Sequence, residues 1–200
     1  WAAGSKYSFI GMIRFAFQIF AYEIPLFLAL TGVIIAARSF DIVEIVDAQA
    51  AVPFIVTQIL GFLVFFIAAV SEAERIPFDL PTAEQELVEG WMVEYGSVGF
   101  LTIQLAMYTK LDALVFLTVL LYLGGWHGPA IPGIPELILQ PFWVFVKFLV
   151  LLTIILLFRG VYPRITMRKI LDLGWRLLIP LGLINLFLTS LAIYLPTLVS

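Results

Sequence analysis

Apolar residues fall into five long runs, at approximately 10–37, 53–71, 97–124, 141–158 and 176–196. Each is close to or above the roughly 20 residues that cross a hydrocarbon core. None shows the alternation over about ten residues that marks a membrane β-strand, so the pattern predicts transmembrane helices. The connections differ in character: 38–52 is short and polar, 72–96 is acidic, 124–135 is rich in Gly and Pro, and 159–169 is basic. No internal repeat is visible.

Composition agrees with that pattern. With 62% hydrophobic residues, 12% charged residues and a mean hydropathy of +1.09, there is too little polar surface to cover a water-soluble globule. The expected fold is all-α: a polytopic transmembrane helix bundle with about five spans in one domain over residues 1–200. Zero cysteines exclude iron–sulfur ligation by this chain, and a single histidine, His127, argues against zinc or haem, so no metal and no cofactor are expected on it. The basic residues form no nucleic-acid surface. The chain opens on Trp1 and has no signal-peptide pattern, which suggests an incomplete N-terminus.

If each run crosses once, one side carries Lys6, Arg14, Arg75, Arg159, Arg164, Arg168, Lys169 and Arg176, against Arg38 alone in the opposite connections. Basic residues favour the inner side, so the acidic connection is expected to be cytoplasmic, or on the matrix side in a mitochondrion. The bases from Arg159 to Arg176 read as topology determinants and anionic-lipid contacts, with a partner-holding role as the alternative.

The acidic connection holds Glu72, Glu74, Asp79, Glu84, Glu86, Glu89 and Glu94 against Arg75, half of the 14 acids in the chain. Pro77 and Pro81 must end the second span. Thr82-Ala83-Glu84-Gln85 is a capping-box pattern, and Leu87, Val88, Trp91 and Met92 form an apolar stripe. An ordered element folded back on the bundle is expected over 72–96. Partly buried neighbouring carboxylates raise one another's pKa, which makes protons shareable near neutral pH; a solvated, lipid-repelling loop is the plainer reading.

Charges inside the spans are the other candidates. Glu23 lies within the first run, where a charge costs at least about 2.5 kcal/mol, and it reads either as a proton-path group or as a neutral, hydrogen-bonded structural glutamate. Arg14 and Gln18 precede it and are expected to share its polar face. Lys110 and Asp112 interrupt the third run and, two residues apart, point in different directions, so each needs its own partner. Lys147 interrupts the fourth, where snorkelling offers a simpler account. His127 reads as an ordinary turn residue.

The stretch ERIPFDLPTAEQELVEGWMVEY resembles the signature cytoplasmic loop of the membrane "heel" family of respiratory complex I, the H-type subunits of NADH-quinone oxidoreductase. WAAGSKYSFIGMIR, Gln18 with Ala21-Tyr22-Glu23, GGWHGP, Lys147, RGVYPR and LGWRLLIPLGLINL agree in order across essentially the whole chain. The resemblance implies a fold of about eight spans, of which these five are the C-terminal set, in a prokaryotic plasma membrane or mitochondrial inner membrane. It implies a subunit that joins the peripheral redox arm to the membrane arm and couples electron transfer to proton or sodium movement, as a non-redox part of the oxidoreductase. Expected partners are the peripheral-arm iron–sulfur and catalytic subunits, which hold the clusters, other membrane-arm subunits, and lipid. Quinone is expected as the substrate of a shared chamber near Arg14, Glu72, Arg75, Asp79, Glu84 and Glu86. No catalytic residue is assigned; the coupling path would use Glu23, Glu72, Asp79, Glu84, Glu86, Glu94, Lys110, Asp112 and Lys147.

Two departures qualify the likeness. Ala106-Met107-Tyr108 lacks a carboxylate usual in the family, and Thr166-Met167-Arg168-Lys169 replaces its common Arg-Tyr-Asp-Gln. Related subunits of energy-converting membrane-bound hydrogenases and ferredoxin- or F420-linked complexes, which need not reduce quinone, therefore stay open. So does a purely structural membrane anchor. An autonomous secondary transporter is less suited, since no inverted repeat or pair of broken helices stands out.

Overall fold

The computed structural model of the protein describes residues 5–75, 77–80, 92, 95–133, 135–161 and 165–199, with no strand among them. Its helices are α1 (Lys6–Ala37), α2 (Ile42–Asp47), α3 (Phe54–Thr57), α4 (Ile59–Glu72), α5 (Ser97–Tyr122), α6 (Glu136–Val161), α7 (Met167–Asp172) and α8 (Ile179–Val199), with a π-helical turn Leu173–Leu178 joining the last two. Among the described residues, four helical stretches are long and apolar enough to cross a membrane: Lys6–Ala37, Ser97–Tyr122, Glu136–Phe158 and Met167–Tyr194. The protein is an all-α transmembrane helix bundle. α1 is its hub, packing on α4 and on the last helix through Ala21, Tyr22, Ala29 and Val33, all fully buried.

The second apolar run is not one helix. Gln58, at φ −127° and ψ 50°, separates α3 from α4. The break is accommodated by side chains: Asn185 Oδ1 accepts from the Gly61 amide at 3.1 Å, and Gln58 Nε2 donates to the Gly32 carbonyl at 3.2 Å. Irregular backbone inside an apolar bundle persists only where such partners replace the lost helical bonds. The 38–52 connection likewise contains α2, capped by the Asp41 carboxylate on the Val43 amide.

The last span begins earlier than its apolar run, at Met167 rather than near 176, and widens into the π-turn just before Pro180. A proline ring cannot donate and clashes with the carbonyl four residues back, and a π-turn absorbs the misfit. Pro25, buried in α1, similarly leaves the Ala21 carbonyl without its helical donor. Gly174 packs there: a Cβ on it would stand 2.6 Å from that carbonyl oxygen.

Opposite the acidic connection, Gln49 knits the chain turns together. Its Nε2 donates to the Ile45 and Leu120 carbonyls at 3.1 and 2.9 Å, and its Oε1 accepts from Phe54 and Gly124 amides at 3.2 and 3.0 Å.

Candidate functional site

The end of α4 is built as a succession of tight turns. The Glu74 amide donates to the Ser71 carbonyl at 3.1 Å, Phe78 to Arg75 at 2.7 Å and Leu80 to Phe78 at 2.9 Å. Glu74 takes a left-handed conformation, φ 51°, uncommon for a residue with a side chain. The turn is clamped to the bundle from two sides: buried Gln18 donates to the Ser71 and Phe78 carbonyls at 2.8 and 3.0 Å, and the Ile165 amide donates to Pro77 O at 3.2 Å. The Phe78 ring meets Tyr22 edge-on, with centroids 5.6 Å apart, and Pro77, Phe78 and Leu80 are buried.

That clamp gathers charges. Lys110 Nζ, from the middle of α5, lies 2.7 Å from Glu72 Oε1. The Arg75 guanidinium carbon sits 4.0 Å above the Tyr108 ring, one turn of α5 nearer the acidic connection than Asp112. Glu74 stands among Lys110, Glu72, Asp79 and Arg75, and one of its carboxyl oxygens is buried with no hydrogen-bond partner among the described residues. Burial raises its pKa from 4.5 to about 7, Glu72 and Asp79 push in the same direction, and Lys110 and Arg75 oppose them.

Beside this cluster an open cleft of about 480 Å³ brings together Glu23 from α1, Glu72 from α4 and Lys110 from α5. Glu23 faces the cleft and is exposed on the chain, whereas Gln18 is buried against α4. The shared polar face expected for the two does not form, because five residues turn a helix by about 140° from the starting direction. Arg14 is half-buried and engaged. Lys110 and Asp112 do point apart: Lys110 turns to Glu72, and Asp112 is exposed on another side of α5.

Lys147 is not brought to Glu23. Its ammonium donates to the carbonyls of Leu123, Gly125 and His127 at 2.7, 2.9 and 2.6 Å, which uses all three protons to close the C-terminus of α5. Twelve residues of α5, about 18 Å of helix, lie between Lys110 and that terminus. His127 Nε2 is 3.3 Å from Asp47 Oδ1 at the same end, outside hydrogen-bond geometry. Glu84, Glu86, Glu89 and Glu94, with the capping box and the short helix expected there, lie outside the described residues. Among the described residues no group of three or more His, Cys, Asp or Glu is placed to hold a metal.

Sequence reasoning does not single out Glu74 and Tyr108 as members of the cluster. Glu74 is only one acid among seven until the turn before Pro77 buries it, and that proline is the available signal. Tyr108 stands in the sequence only as part of a departure, yet it supplies the ring under Arg75.

An all-α bundle with helices long and apolar enough to cross a membrane defines an integral membrane protein. The chain belongs to the NADH dehydrogenase family, whose profile matches residues 1–190. It is 43% identical over 190 residues to an H-type subunit of NADH-quinone oxidoreductase from Syntrophobacter fumaroxidans, a match that covers 95% of this chain and 55% of that protein. It is also 43% identical over 191 residues to the H-type NADH-quinone oxidoreductase subunit of Geobacillus thermodenitrificans, and 42% identical over 192 residues to that of Anoxybacillus flavithermus. Those two matches cover 95% and 96% of this chain and 56% of each relative. The chain spans about half the length of these curated relatives.

Proposed function

We propose that this chain serves as membrane subunit of a complex I-like NADH:quinone oxidoreductase, coupling redox turnover in partner subunits to proton or sodium translocation. Kinship with the H-type NADH-quinone oxidoreductase subunits supports the assembly, and Glu74 carries the coupling: a partly buried carboxyl of pKa about 7 beside the Glu72–Lys110 pair and the cleft that contains Glu23. In this reading the redox centres belong to partner subunits. The chain's acids respond to charge at a chamber shared with the peripheral arm, where quinone is reduced.

In this reading, proton uptake by Glu74 removes one negative charge near Lys110, and proton loss restores it. Lys110, on its flexible stem, redistributes between Glu72 and Glu23 and carries the change into the cleft between α1 and α5. Lys147 has a structural part, as the cation that closes α5. Glu84, Glu86 and Glu94 supply further acids towards the chamber, with Arg14 and Arg75 on the chamber side. The count of basic residues supports an acidic connection on the cytoplasmic or matrix side.

The test uses the assembled complex in proteoliposomes. Lys110→Met and Glu23→Gln complexes are expected to oxidise NADH while translocating fewer ions per electron. Full translocation with full redox turnover in both variants would refute the reading.

A further inference from the structure

A second cleft, of about 450 Å³, opens between α4 and α6 on the acidic-connection side and, among the described residues, is lined by apolar side chains only. Phe62 and Phe66 of α4 form one wall, Leu151 and Ile154 of α6 the other, and Pro77 and Phe78 close its end. The Phe66 and Phe158 rings stand 6.3 Å apart where the two walls approach. A helix about 10 Å across would fill this volume in about one turn, so the space suits a flexible hydrocarbon chain rather than a protein element.

The mouth is basic. Leu173 lines the cleft, and Lys169 lies one helical turn before it on the same stripe, with Arg168 adjacent; both cations are exposed. The nearest acid on that helix, Asp172, is already paired with Arg176 at 3.3 Å, and Asp79, beside Phe78, is engaged. Trp175, half-exposed on the same stretch, has the amphipathic character of a membrane-interface residue.

We propose that this cleft is a binding site for an anionic phospholipid, one acyl chain lying between α4 and α6 and the phosphate held by Lys169 and Arg168. Each basic residue near an anionic headgroup contributes about 1 kcal/mol, about fivefold in affinity. The site is independent of the coupling role proposed above.

The experiment places the assembled complex in nanodiscs with phosphatidylglycerol or phosphatidylcholine carrying a photoactivatable diazirine on one acyl chain, and maps labelled peptides by mass spectrometry. Phosphatidylglycerol is expected to label the α4 and α6 walls at least about fivefold more than phosphatidylcholine. In an Arg168→Gln/Lys169→Gln complex that preference should fall to near one, and Ile154→Trp should suppress labelling by both lipids. Equal labelling by the two lipids in the unaltered complex, labelling absent from the cleft walls, or a preference undiminished in the double variant would overturn the proposal.

Discussion

Lys110 and Glu72 are 38 positions apart in sequence, yet the ammonium of one lies 2.7 Å from the carboxylate of the other, tying the middle of α5 to the end of α4. The pair is partly open, with Lys110 37% and Glu72 22% exposed, so its contribution is modest. A double-mutant cycle of Lys110→Met and Glu72→Gln, read by thermal unfolding of the purified complex, is expected to give a coupling of about 1 kcal/mol that shrinks with added salt.

Gln49 is 1% exposed and makes four hydrogen bonds across three segments. Gln49→Met preserves volume but strands the Phe54 and Gly124 amides and two carbonyls. A loss of about 2–4 kcal/mol is expected in equilibrium unfolding, because buried unpaired groups cost their full desolvation. A loss below about 0.5 kcal/mol would mean that water reaches those groups.

Gly174 is required by close approach. Gly174→Ala drives a methyl to 2.6 Å from the Ala21 carbonyl oxygen, a backbone atom that cannot step aside cheaply. Destabilisation of about 1–3 kcal/mol follows from overpacking. Gly160→Ala, where no described residue stands within 4 Å, is the control and should leave stability unchanged or slightly higher.

Glu74 gives the acidic turn a pH dependence of known sign. Its pKa is raised in the folded protein from 4.5 to about 7, so between those values the folded state holds a proton that the unfolded state has released. Stability from this group is therefore fully present below pH about 4.5, declines as pH rises towards about 7, and changes little above it. Infrared difference spectra of the complex should show a protonated carboxyl band titrating near pH 7 and missing from Glu74→Gln.

Much of the bundle is legible from hydrophobic runs alone, because long apolar stretches without period-two alternation can satisfy their backbone in lipid only as helices. The break at Gln58 is hidden: VTQILG is apolar on either side, and its stabilising partners, Gly32 and Asn185, come from distant spans. The acids and prolines of 72–80 are conspicuous, but the burial that singles out Glu74 depends on Gln18 and Ile165, which no local pattern connects to it. The partners of Lys147 are hidden for the same reason. They are backbone carbonyls, which leave no mark in sequence, so the part it plays in closing α5 cannot be read from the apolar run around it.

Ions translocated per electron test most directly whether Glu74 is the proton-exchanging acid of the coupling cluster. In proteoliposomes at pH 7, the Glu74→Gln complex should keep assembling and oxidising NADH while its ion-to-electron ratio falls below that of the unaltered complex. An unchanged ratio, with only assembly weakened, would contradict that role and leave the acidic turn as a membrane anchor.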